Sequence, residues 1–143
     1  MKVKDCMAAH AVSIACEEPA SVAARLMARY NLGMLPVTGP GGKLAGVVTD
    51  RDLVLRCVAA GRDASTTPVA QVMSNRVITT APDDPLERAA RCMARERIRR
   101  LPVVEDGRLA GIITLGDLAR QGAYAMEAGT CLGAISTSVR RWE

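Results

Sequence analysis

The sequence predicts an α/β (α+β) chain made of two β-α-β-β-α units, and three observations predict it. The first is an internal repeat. Pro19 matches Pro85, Ala24 and Met27 match Ala90 and Met93, and Leu35-Pro36-Val37 matches Leu101-Pro102-Val103, all at an offset of 66. Past the hairpin the offset is 65, and Gly46, Thr49 and Asp52 match Gly111, Thr114 and Asp117. The second is helical periodicity: Leu86, Ala89, Ala90 and Met93 fall at i, i+3, i+4 and i+7 with arginines on the other positions. The third is turn chemistry, Gly39-Pro40-Gly41-Gly42 in one repeat and Asp106-Gly107 in the other, each between two apolar runs.

In order, each half opens with a short helical turn (Val3–Met7; Pro68–Met73) and a short strand (Ala11–Ile14; Val77–Thr80). A loop containing proline leads into an amphipathic helix, Ala20–Tyr30 with Ala23, Leu26, Met27 and Tyr30 inward, and Pro85–Glu96 in the second half. A hairpin follows: Met34–Val37 with Leu44–Thr49, and Arg100–Val104 with Leu109–Thr114. A last helix closes each half (Asp50–Ala60; Leu115–Tyr124). The polar stretch from Gly61 to Pro68 reads as the linker, with Thr67 as a helix cap and Pro68 at the first helical position. The expected units are therefore 1–63 and 64–125, with 126–143 as an extension without a clear period.

Composition narrows the function. The chain has 143 residues, enough for one domain or two small subdomains. One Trp, two Tyr and no Phe leave an aliphatic, Met-based core and argue against an aromatic platform for single-stranded nucleic acid. The net charge of +4 favours anionic partners only weakly. No apolar run approaches the roughly 20 residues of a membrane span, and the N-terminus has no signal-peptide core, so no membrane contact and a cytoplasmic location are expected. Five cysteines (6, 16, 57, 92, 131) without a C-x-x-C pair read as reduced, with a Cys16–Cys131 link as the minor alternative. The single His10 has no partner at metal-ligand spacing, so no metal is expected. With no Ser-His-Asp set, phosphate-binding P-loop or G-x-G-x-x-G fingerprint, no enzyme activity is expected.

Gly46-Val47-Val48-Thr49-Asp50-Arg51-Asp52-Leu53 and Gly111-Ile112-Ile113-Thr114-Leu115-Gly116-Asp117-Leu118 each join an apolar strand to a helix. Thr and Asp three apart at such a joint put a hydroxyl and a carboxylate beside free backbone N–H groups. They can cap the helix or hold a sugar diol or phosphate, and their recurrence favours the second role.

A β-α-β-β-α unit with "MLPV" and "GVVTDRDL", repeated as "RLPVV" and "GIITLGDL", resembles the cystathionine β-synthase (CBS) domain, and two in tandem resemble a Bateman module. The resemblance spans roughly Val3 to Tyr124 and is greatest to small stand-alone bacterial proteins, including the hypoxic-response type. It implies two CBS units packed sheet to sheet with pseudo-two-fold symmetry, and two clefts. It also implies a homodimer through helix faces. Leu53, Val54, Cys57, Val58, Leu118 and Ala119 belong either to those faces or to the core of their unit, and both readings stay open.

For function, the resemblance implies a non-catalytic regulatory module that binds AMP, ADP or ATP and signals by conformational change to a partner protein of unknown identity. S-adenosylmethionine or NAD are less favoured ligands, and no cofactor is obligatory. Thr49 and Asp52, or Thr114 and Asp117, would hold the ribose. Val12, Ser13 and Ile14, or Ile78, Thr79 and Thr80, would meet adenine. Arg99 and Arg100 stand where the family places a phosphate-binding pair, whereas the first repeat has Gly33 and Met34. One phosphate-competent site, made by Thr49, Asp52, Arg99 and Arg100, is thus expected. The Thr114/Asp117 site, with Leu115 and Gly116 in place of Asp50 and Arg51, is expected to be less acidic, and either weaker or suited to an uncharged adenosyl ligand or to none. The alternatives are a ligand-free dimerisation scaffold and, with no motif to support it, an arginine-rich nucleic-acid surface.

Overall fold

A computed structural model of the chain describes residues 1–121. They form two compact units, each a small sheet with helices. The first unit contains Val12–Val77 and Gly107–Leu109, and the second Met1–Ala11, Ile78–Asp106 and, of the described residues, 110–121.

In the first unit, β1 (Ile14–Ala15), β2 (Met34–Thr38) and β3 (Leu44–Thr49) form a sheet in that order. β1 runs parallel to β2, with Ile14 beside Val37, and β2 runs antiparallel to β3, with Met34 beside Thr49. Helix α1 (Ala20–Tyr30) buries Ala20, Ala23 and Met27 against Leu35, Val37 and Val48. Tyr30, expected inward, is 48% exposed, and the face ends at Met27.

The expected helix Asp50–Ala60 is α-helical only over α2 (Asp50–Leu53) and continues as a π-helical turn, Val54–Val58. The Arg56 guanidinium is tethered outside the helix, its Nη1 donating to Met73 O at 2.9 Å. Leu53 and Cys57 enter the core of their unit, while Val54 and Val58 stay exposed. Thr67 caps nothing: its hydroxyl donates to Asp63 O at 2.7 Å, and Pro68 takes the cap position before the 3-10 turn Val69–Gln71.

The second unit holds α3 (Leu86–Glu96), the hairpin β4 (Arg100–Glu105) and β5 (Arg108–Thr114), and α4 (Leu115–Arg120). All four inward residues expected on α3 are buried. Leu118 is also core, while Ala119 is exposed. The expected strand Val77–Thr80 shrinks to one parallel bridge, Thr80 with Val103. The cause is Pro102. Thr80 N–H donates to Pro102 O (3.1 Å) and Thr80 O accepts from Val104 N–H (2.8 Å), but the next rung upstream needs an N–H that Pro102 lacks. Pro36 ends the ladder at Ile14 in the same way.

Each leading turn packs with the other repeat's hairpin. Val3 is core in the second unit, Val69 and Val72 in the first. Ala8 and Ile112 exchange backbone hydrogen bonds (2.9 and 3.0 Å), as do Ser74 and Val47 (2.8 and 3.0 Å). Cys6, Cys16, Cys57 and Cys92 carry free thiols. Cys131, the end of the expected last helix and the extension lie outside the described residues.

Arg97 ends α3 at φ +57°, the left-handed conformation that suits Gly and Asn, and Asn31 does so at the same place after α1. Arg97→Gly should therefore stabilise the protein by about 0.5 kcal/mol, the relief of strain exceeding the added freedom of the unfolded chain. A thermal melt reads this as a rise of roughly 2 °C, and a fall instead means that the arginine side chain holds the helix end.

Candidate functional site

The Thr-Asp pairs are capping boxes. Thr49 leaves β3 extended (φ −110°, ψ 163°) and its Oγ1 accepts from Asp52 N–H at 3.0 Å, while Thr49 N–H donates to Asp52 Oδ2 at 3.0 Å. Thr114 Oγ1 accepts from Asp117 N–H at 3.1 Å, and Thr114 N–H donates to Asp117 Oδ2 at 2.9 Å. The capping role is thus filled twice by the same atoms, satisfying N–H groups that a helix start leaves without partners.

Each carboxylate keeps one oxygen, Oδ1, and the two differ there. Asp52 Oδ1 lies 3.9 Å from Arg56 Nε, too far for a hydrogen bond. Asp117 Oδ1 is held by Arg120 Nη2. Burial does not explain the difference, since the side chains are 14% and 12% exposed. Asp52 therefore retains an acceptor for a diol hydroxyl that Asp117 has committed within its own helix.

Gly33 and Arg99 do the same backbone work: Gly33 O accepts from Asp50 N–H at 3.0 Å, and Arg99 O from Leu115 N–H at 2.8 Å. The Arg99 side chain is exposed and that of Arg100 half-buried, and neither makes an ion pair among the described residues. Leu115 belongs to the core of the second unit. Asp50 is exposed and accepts from Arg51 N–H at 2.8 Å.

The candidate adenine segments lie apart from these pairs. In the first unit Val12–Ile14 lead into β1, on the opposite sheet edge from Thr49 at the end of β3. Ile14 is buried, Val12 packs on the core, and Ser13 is half-buried. In the second unit Ile78, Thr79 and Thr80 line a cavity of about 400 Å³ with Asp84, Arg88, Arg91, Cys92 and Arg95. Thr114 and Asp117 do not line it. Thr80 Oγ1 donates to Asp84 Oδ2 at 2.9 Å. The Asp84 carboxyl is held below its ordinary range chiefly by Ala81 N–H, against the opposing effect of burial, with help from the Thr80 hydroxyl and Arg88. Sequence reasoning missed the three arginines, whose spacing in a polar helix face reads as ordinary solvation.

Two CBS domain matches cover residues 3–58 and 69–124, and the chain belongs to the CBS domain family as a tandem pair, a regulatory module. It is 42% identical to the CBS domain-containing protein YhcV of Bacillus subtilis over 94% of each chain. It is 31% identical to Hypoxic response protein 1 of Mycobacterium tuberculosis over 82% of each. A crystal structure of Hypoxic Response Protein I with two coordinated zinc ions matches with a TM-score of 0.78 and 30% identity, over 85% of this chain and 98% of that one. The CBS domain pair of protein MJ0100, solved in complex with 5′-methylthioadenosine and S-adenosyl-L-methionine, matches with a TM-score of 0.72 and 27% identity, over 86% of this chain and 96% of that one. Among the described residues, no group of three or more His, Cys, Asp or Glu could hold a metal ion, and no helix is long and apolar enough to cross a membrane.

Proposed function

We propose that this CBS pair is a non-catalytic cytoplasmic sensor of an adenosine-containing ligand of the AMP, ADP or ATP class. The observation that carries the reading is Asp52 Oδ1, which faces Arg56 at 3.9 Å but makes no hydrogen bond among the described residues, beside a satisfied cap. A carboxylate oxygen fixed in this way can accept from a ribose hydroxyl without reorganising. Arg99 and Arg100, which have no ion-pair partners among the described residues, supply positive charge for the phosphates. The adenosine ligands of the MJ0100 pair support the class and leave S-adenosylmethionine, and less so NAD, as secondary candidates. Binding shifts the conformational population, and a partner protein reads the shift.

Calorimetric titration with AMP, ATP and S-adenosylmethionine tests this. AMP and ATP should bind in the micromolar range. Arg100→Ala should weaken both by about tenfold, the effect of one charge-assisted contact, and leave S-adenosylmethionine, which has no phosphate, unchanged. No heat with any of the three sinks the reading.

A second reading, a homodimeric scaffold that needs no ligand, is favoured by the exposed row Val54, Leu55 and Val58, the last 71% accessible. Such a row suits burial against a second copy. It is the reading left standing if all three ligands fail.

A further inference from the structure

The cavity beside α3 is built by two features of the sequence. Pro102 cannot offer an N–H to the Ile78 carbonyl, and the backbone of Ile78 and Thr79 makes no hydrogen bond to any described residue. Arg88, Arg91 and Arg95 recur at three- and four-residue steps, which puts them on one side of α3 with Cys92. The first repeat is an internal control. There Val22 and Leu26 stand where the second has Arg88 and Cys92, and both pack with Val12 against the core of the first unit, while Arg25 and Arg29 match Arg91 and Arg95. Two packed apolar side chains of the first repeat are thus replaced by Arg88 and Cys92 in the second, which adds a third arginine to the pair that both repeats carry.

The charge of the cavity is not neutralised from within. Among the described residues, Asp84 is the one acidic residue lining it. Its Oδ2 accepts from Thr80 Oγ1 and Ala81 N–H, both at 2.9 Å, and its Oδ1 lies 3.7 Å from Arg88 Nη1. Arg95 Nε lies 3.3 Å from Glu96 Oε1, outside the lining. Arg91 has no ion-pair partner among the described residues. Like charges at this helical spacing repel one another, and a bound anion removes the repulsion.

We propose that this cavity is a second ligand site, one that takes a small polyphosphate anion in the guanidinium forks of Arg88, Arg91 and Arg95. Guanidinium pairs with phosphate through two parallel hydrogen bonds. Three such groups around one cavity match a compact ligand carrying several negative charges. A volume of about 400 Å³ lies at the lower end of small-molecule pockets, and it admits a group of nucleotide size or less rather than a duplex. The cavity shares Ile78, Thr79 and Thr80 with the adenine segment that the resemblance implies for the second repeat, but Asp52, Thr114 and Asp117 do not line it, so it does not use the Asp52 contact on which the proposed function rests.

The test titrates inorganic triphosphate into the full chain and into two variants, Arg91→Gln and the triple Arg88→Gln/Arg91→Gln/Arg95→Gln. All three arginines are exposed, so unchanged melting should accompany both variants. Binding should weaken about tenfold in the single variant, vanish in the triple, and persist in Asp52→Asn, where the proposed adenosine contact alone is altered. Equal affinity in wild type and the triple variant, or no binding by the wild type, overturns the site. So does tighter binding of a short DNA duplex than of triphosphate at equal ionic strength through the same arginines, which would make the patch a nucleic-acid surface.

Discussion

Gly111→Val should cost about 3 kcal/mol of stability and lower the melting temperature by roughly 10 °C. Gly111 lies in β5 where the N-terminal segment crosses it, and a Cβ there would stand against the Ala8 carbonyl and 3.3 Å from Met7 Sδ. The carbonyl is backbone, fixed by two hydrogen bonds between Ala8 and Ile112, so it cannot yield without breaking them. The segment would lift away and draw Val3 out of the core, where it is fully buried. Losing that side chain alone accounts for about 1.5–3 kcal/mol. Gly46→Val should act in the same direction, because a Cβ there meets Ser74 O at 2.5 Å. Gly33→Ala is the control: its Cβ meets Asp50 Oδ2 at an ordinary 3.5 Å, and its melting point should stay near wild type. A Gly111→Val protein that melts within a degree of the control would mean that the leading turn is not held to β5.

This glycine also shows what was legible in the sequence. Its recurrence within both strands, three residues before the Thr, was plain, but its reason was not, because Ala8 and Ser74 come from segments that a linear reading assigns to their own repeats. The hairpins and α1 were legible from turn chemistry and period, both of which act over a few residues. The first strands were misjudged because Val77 and Ile78 have strand-forming side chains, whereas their pairing is decided by Pro102, some 24 residues away from Ile78. At the site, the Thr-Asp pairs were found by repetition, and the choice between cap and ligand was posed correctly. That the cap uses Oδ2 and frees Oδ1 on one carboxylate only depends on whether an arginine follows at the third or the fourth position. The arginine cavity needed the first repeat as a comparison in three dimensions, since a charged helix face alone is ordinary.

Asp52→Asn should separate the two roles of the capping pair. The amide oxygen can still accept from Thr49 N–H, so the helix start survives and stability should fall by less than about 1 kcal/mol. The group that replaces Oδ1 is then an NH₂, which donates and cannot accept from a ribose hydroxyl. Losing a charge-assisted hydrogen bond and leaving the hydroxyl unpaired amounts to about 1.5–3 kcal/mol, or about 10- to 100-fold in affinity for AMP. Asp52→Ala should lose both properties together, and only the pair of variants tells them apart. In Asp117→Asn the oxygen removed is one that Arg120 already holds, so AMP affinity should change by less than about threefold. Calorimetry with AMP on the three variants, beside their melting curves, measures each term. If Asp52→Asn binds AMP like wild type, the carboxylate is a cap and nothing more. Equal losses in Asp52→Asn and Asp117→Asn would mean that Arg120 yields to the ligand, and the asymmetry between the repeats would then have to come from Arg99 and Arg100.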